Sequence, residues 1–175
     1  GLPLIKFHDI NKIYPSDSYK MFIALSYSNM NKDRVEKYFI AKEQGYDLVS
    51  YVSSKCTFIT EIPIGDNCFI LEDNTIQPFV KIGNNITLWS GNHIGHGSII
   101  GDHCFISSHV VVSGNVQIKE KCFIGVNASI RNSITVQKET LIGAGAVIMK
   151  DTVEKGVYLP PRATLSEKNS DEIKL

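Results

Sequence analysis

The chain lacks net charge. Its 18 Lys and Arg balance 18 Asp and Glu over 175 residues, so no field draws it toward nucleic acid or an anionic membrane. It also lacks a long apolar run. No segment is read as crossing a bilayer, and no signal peptide is read at its start. Four cysteines, Cys56, Cys68, Cys104 and Cys122, form no C-x-x-C pair, which removes the spacing of a zinc knuckle. Reduced thiols and a cytoplasmic location are the expectation, with neither nucleic acid nor membrane as a partner. No G-x-G-x-x-G occurs, so the phosphate-binding turn of a dinucleotide fold is missing.

What is present is a beat of six. Steps of six from Ile64 reach Ile70, Ile76, Ile82, Leu88, Ile94, Ile100, Ile106, Val112, Ile118, Ile124, Ile130, Val136, Ile142 and Ile148. One step back reaches Phe58. No helix or ordinary hairpin has this period. A second register two residues earlier, running from Ile62 through Cys68 and Asn74 to Ala146, is mostly small or apolar. Residues two apart on a strand share a side, so both registers face one interior. All four cysteines fall in this second register. Cys68, Cys104 and Cys122 differ by multiples of 18 and stack in one column as small core residues.

This pattern resembles the hexapeptide repeat of left-handed parallel β-helices, in which three hexads make one triangular coil of 18 residues. The resemblance implies the handedness, an exception to the right-handed crossover rule. The expected fold is mainly β: a left-handed parallel β-helix of about five coils over residues 56–150. A small α/β, partial Rossmann-like domain precedes it over residues 1–55, and a tail follows over 151–175. In the first part "LPLIKF", "MFIALSY" and "DLVSYVS" read as strands of a parallel sheet. "DINKIY" reads as a short helix ending before Pro15. "NKDRVEKYFIAKEQG" reads as a longer one, with Asn31 as cap, Gly45 as terminator and Val35, Tyr38 and Phe39 on one face. This part is either half of a nucleotide-binding unit or a cap on the open β-helix edge. The tail should cover the other end or pack along the side.

Three of the five histidines fall in "SGNHIGHGSIIGDH". Adding 18 to His96 gives Gly114, Asn132 and Lys150, an outward line about 14 Å long if coils stack ~4.8 Å apart. It offers a base, a bare backbone N–H and a cation, which suits a long anionic thioester. It also suits a corner that merely collects polar residues. His93 faces outward beside His96 and either touches an acceptor or lines an interface. His103 and His109 fall in turns and are given surface roles; His8 is given none.

"GNHIGHGSIIGDHCFISSHVVVSGNVQI", "CFIGVNASIRN" and "LIGAGAVIMKD" are similar to bacterial sugar acyltransferases. That family includes sialic acid O-acetyltransferases and nucleotide-linked amino-sugar N-acetyltransferases. The resemblance implies His96 as general base and Gly114 as the amide that holds the thioester oxygen. It implies acetyl-CoA in a groove between subunits of a homotrimer, touching Gly125, Val126, Asn127, Ala144 and Gly145. Asn132 lies on the cofactor line, and Lys150 or Arg162 meets the phosphates. It implies a sugar or nucleotide-sugar acceptor; the outward-facing His93 and Trp89 are the candidate contacts for it. Two departures stand out: the Gly-rich first turn is missing, and Gly97 occupies the place where several relatives carry an acid beside the base. The alternative is a trimeric metalloenzyme of carbonic-anhydrase type that uses interface histidines.

Overall fold

The computed structural model describes residues 3–173. Short parallel strands stack on three faces. The first face runs through seven strands: Tyr51–Val52, Phe69–Ile70, Thr87–Leu88, Phe105–Ile106, Phe123–Ile124, Leu141–Ile142 and Val157–Tyr158. The second runs through Thr57–Phe58, Thr75–Ile76, His93–Ile94, Val111–Val112, Ser129–Ile130 and Val147–Ile148. The third holds Lys81–Ile82, Ile99–Ile100, Gln117–Ile118 and Thr135–Val136. This is the parallel β-solenoid that the beat of six implies, with about six turns rather than five. It is consistent with a left-handed β-helix.

Ile70, Ile76, Leu88, Ile94, Ile106 and Ile124 are fully buried. Burying one such side chain contributes about 1.5–3 kcal/mol, so the column of aliphatics is the main source of stability. Each coil turns its corners through a residue with positive φ, among them Asn67, Asp73, Asn85, His103, His109, Asn115 and Asn127. Asn, Asp and His tolerate that conformation better than other L-residues.

The solenoid begins earlier and ends later than the beat alone suggests. Tyr51–Val52, expected in a separate sheet, instead pairs with Phe69–Ile70. Val157–Tyr158 adds to the far edge by pairing with Leu141–Ile142. The coil is shorter there: Thr152 N–H donates to the Thr135 carbonyl, so register slips after Lys150. The tail thus extends the first face before it leaves the surface.

The expected three-stranded N-terminal sheet is not formed among the described residues. Met21 and Leu48 make only an isolated parallel bridge. The Ile23 N–H donates to Asn67 Oδ1 at 2.8 Å, so a side chain of the solenoid replaces a strand partner. Helix α1 (Ile10–Ile13) follows a 3₁₀ turn, Phe7–Asp9, and stops before Pro15 as expected. Helix α2 (Lys32–Glu43) ends at Gly45, whose φ of +84° only glycine adopts without strain.

The buried face of α2 is Arg34, Tyr38 and Ala41, whereas Phe39 is half exposed. The face turns because Arg34 finds acceptors on the solenoid. Its Nη1 donates to Thr87 Oγ1 at 2.8 Å, and its Nη2 to the His103 and Cys104 carbonyls at 3.2 and 3.0 Å. The guanidinium also lies 5.7 Å from the centre of the Phe105 ring. Asn31 does not cap the helix by its side chain; its Nδ2 donates to the Cys122 carbonyl instead.

His103 lies beneath this helix, 6% exposed, against the Tyr38 and Phe39 rings. The expected surface role is therefore corrected: α2 covers the turn. Asn67 Nδ2 donates to Asn85 Oδ1, and Asn85 Nδ2 lies 2.9 Å from His103 Nδ1, which makes Nδ1 the acceptor. Burial pushes the His103 pKa down; Lys121 and Arg34 add to this, and Asp102 opposes it. The folded chain thus binds this proton less readily than the unfolded one. The stability tied to neutral His103 is intact above 6.5, the ordinary histidine value, and is lost as pH falls through the lower folded value. We expect the urea midpoint to drop on acidification from neutral pH, and to drop less in His103→Asn. Equal pH slopes for the two proteins would refute this.

Candidate functional site

His96 follows the inward Ile94 and the corner residue Gly95, and its side chain is exposed. Three backbone bonds hold its turn. The His96 N–H donates to Gln77 Oε1 at 2.8 Å, and the His96 carbonyl accepts from Asn115 N–H at 2.8 Å. The Gly97 N–H donates to the Pro78 carbonyl at 3.0 Å. The imidazole lies directly against Gly114. A Cβ there would stand 2.6 Å from His96 Nε2 and 2.7 Å from Cε1, so the ring occupies the space that any side chain would need. Among the described residues the Gly114 N–H donates to no protein group. The two expected catalytic residues are brought together, a nitrogen base beside an uncommitted amide.

Gly97 has φ +66°, and a Cβ there would meet Asn115 Oδ1 at 2.5 Å. An acidic side chain at this place would have to displace Asn115 and accept backbone strain. Among the described residues no side chain hydrogen-bonds the His96 ring.

Strand register places His96, Gly114, Asn132 and Lys150 in one column, because Val111 pairs with His93 and Ser129, and Ser129 with Val147. Asn132 and Lys150 are exposed. This column runs along the corner between the second and third faces. The other expected cofactor residues lie along a different corner, between the first and second faces. There Gly145 N–H donates to the Val126 carbonyl at 2.7 Å. A Cβ on Gly125 would stand 2.5 Å from the Ala144 nitrogen, so adjacent coils touch at backbone distance. Val126 and Asn127 are exposed, and space is open around Gly145. Within one chain, therefore, the full width of the second face separates the two sets.

His93 sits half-buried on that intervening face, between Thr75 and Val111. Trp89 stands in the Gly125 column, 45% exposed. It borders a cavity of about 190 Å³ that Phe69, Phe105, Thr87 and Arg34 also line. Arg162 is exposed in the tail. His109 is exposed and its ring covers Gly91, where a Cβ would stand 2.6 Å from Cε1.

Cys104 is fully buried, and burial pushes its thiol well above the ordinary range. Cys68 is pushed up to about 11 for the same reason. Neither is a nucleophile at neutral pH. Among the described residues no three His, Cys, Asp or Glu side chains gather within the chain. Among the described residues no helix is long and apolar enough to cross a membrane.

Sequence reasoning missed two features. One is Gln77, whose long side chain reaches the turn of the next coil. The other is an aromatic ladder on the first face, Tyr51, Phe69, Phe105 and Phe123, on which the N-terminal segment docks. Phe22 meets Phe69 at 5.6 Å, and Tyr27 meets Phe105 and Phe123 at 4.9 Å each. The spacing of 18 and its multiples was there to be found.

The family model "bacterial transferase hexapeptide (six repeats)" matches residues 81–114. That stretch holds both His96 and Gly114. Among curated proteins none matches the sequence. Solved structures share the fold. The acetyltransferase domain of PglB from Neisseria gonorrhoeae superposes with a TM-score of 0.82 at 21% identity, over 90% of this chain and 76% of that one. PerB from Caulobacter crescentus, in complex with CoA and GDP-perosamine, gives 0.78 at 20%, over 86% and 71%. WeeI from Acinetobacter baumannii gives 0.66 at 20%, over 73% and 61%. The chain thus has the hexapeptide-repeat solenoid fold of these proteins.

Proposed function

We propose that this chain is an acyltransferase that moves an acetyl group from acetyl-CoA to an amino or hydroxyl group of a sugar. The acceptor we favour is a nucleotide-linked amino sugar. The observation that carries this is the His96 imidazole lying against the free amide of Gly114. A structure that shares this fold holds CoA and GDP-perosamine, and the PglB domain also occurs with acetyl coenzyme A.

The acceptor nitrogen or oxygen attacks the thioester carbonyl while His96 takes its proton. Negative charge gathers on the carbonyl oxygen, and the Gly114 N–H stabilises it. The C–S bond then breaks. The sulfur leaves as the CoA thiol with the proton that His96 held, so no covalent enzyme intermediate is required. The two cofactor-binding corners are a face apart in one chain. This favours a groove between copies of a homotrimer, where one subunit offers His96, Gly114 and Asn132 and its neighbour offers Gly125, Val126, Asn127, Ala144 and Gly145. Lys150 or Arg162 faces the phosphates. His93 and Trp89 remain the candidate acceptor contacts, and the cytoplasm is the proposed location.

The test is release of free thiol from acetyl-CoA, measured against a panel of nucleotide-linked amino sugars and free sialic acid, with sedimentation of the same sample. Acceptor-dependent release and a three-subunit species are expected. No release with any acceptor, or full activity in a monomer, would overturn the reading.

A further inference from the structure

The base proposed above has no partner on its ring among the described residues, yet a base contributes only when its nitrogen is held at the reacting proton. Something else must hold it. The residue two after each inward aliphatic presents an outward backbone N–H, except after Ile76, where Pro78 has none. At Gly114, Val126, Asn132 and Ala144 this amide donates to no group among the described residues. At Asp66 and Asn84 it is taken by the Asn84 and Asp102 side chains, in a ladder beside α2. His96 stands apart from both groups. Its amide is taken by Gln77 Oε1 at 2.8 Å, from the coil before. The adjoining Pro78 carbonyl accepts from Gly97.

We infer that Gln77 is a positioning residue for the base. It anchors the His96 main chain, so that the imidazole stays over Gly114 without any carboxylate on its ring. Gly97 belongs to the same device, since its open space holds the Asn115 side chain, and Asn115 in turn donates its N–H to the His96 carbonyl. Orientation is thus supplied through the peptide rather than through a ring nitrogen.

This rests on His96 being the base, so the experiment includes His96→Ala. Gln77→Met keeps length without an acceptor; Gln77→Glu keeps an acceptor oxygen. With acetyl-CoA and the acceptor that the thiol assay selects, Gln77→Met should lose about tenfold in kcat, a small part of what misplacement can cost. Its KM for acetyl-CoA and its melting temperature should hold. Gln77→Glu should recover most of kcat. The pH at which the rate is half-maximal should be the same in wild type and both Gln77 variants. Full kcat in Gln77→Met beside an inactive His96→Ala would overturn the inference alone. Full kcat in His96→Ala would overturn the base reading and this one with it. A melting temperature that falls in step with kcat would reduce Gln77 to a structural residue and also overturn it.

Discussion

His96→Ala is expected to lower kcat by roughly 10² to 10⁴, the usual contribution of a general base. The loss should appear in kcat rather than in the KM for acetyl-CoA, because the ring acts on the proton of the acceptor and not on the cofactor. Folding should hardly change. The side chain is exposed, and its removal opens space over Gly114 without emptying the core. Steady-state kinetics at saturating acetyl-CoA, with a thermal melt of the same sample, separates these effects. Chelator should leave the wild type fully active. A variant with wild-type kcat would remove His96 from the chemistry. Loss of activity on chelation, restored by stoichiometric zinc, would return the site to the metal reading.

Arg34→Ala is expected to cause a large loss of stability, about 3 kcal/mol. The guanidinium is 1% exposed and donates to Thr87 and to two solenoid carbonyls. Removing it strands two buried acceptors, Thr87 Oγ1 and the His103 carbonyl, at about 1–3 kcal/mol for each that water cannot reach, while the Cys104 carbonyl keeps the Thr87 N–H; it also leaves a void beside Phe105. Burial lowers the Arg34 pKa to about 10, so the charge is retained at neutral pH. For a chain of this length the melting temperature should fall by roughly 6 to 12 °C. Lys32→Ala, on the exposed side of the same helix, serves as the control and should shift it by no more than about 2 °C. Equal melts for the two variants would mean that α2 docks through Tyr38 and Ala41 alone.

The solenoid was legible because it is one-dimensional. Each coil meets only its neighbours, so a period in sequence becomes a column in space. Ile94 and Ile106 could be placed inside, and Cys68, Cys104 and Cys122 stacked, by counting alone. The same counting set His96 beside Gly114. The N-terminal part was not legible in this way. "MFIALSY" has the composition of a strand, but composition does not say which partner will satisfy its backbone. Asn67 does so at Ile23, from 44 residues away. Nor does the sequence say that Arg34 is buried, because its acceptor Thr87 lies 53 residues away on the first face.

The sequence by itself determined the period, the inward registers, the columns and the residues that could act as base and amide. Local rules suffice there: strand alternation decides which side a residue faces, and an 18-residue repeat decides which residues stack. Only the tertiary structure decided that Tyr51–Val52 and Val157–Tyr158 join the solenoid, that α2 buries His103, and that Gln77 grips the His96 turn. Each of these depends on which long-range group reaches an unsatisfied polar atom first, and neither propensity nor periodicity carries that information.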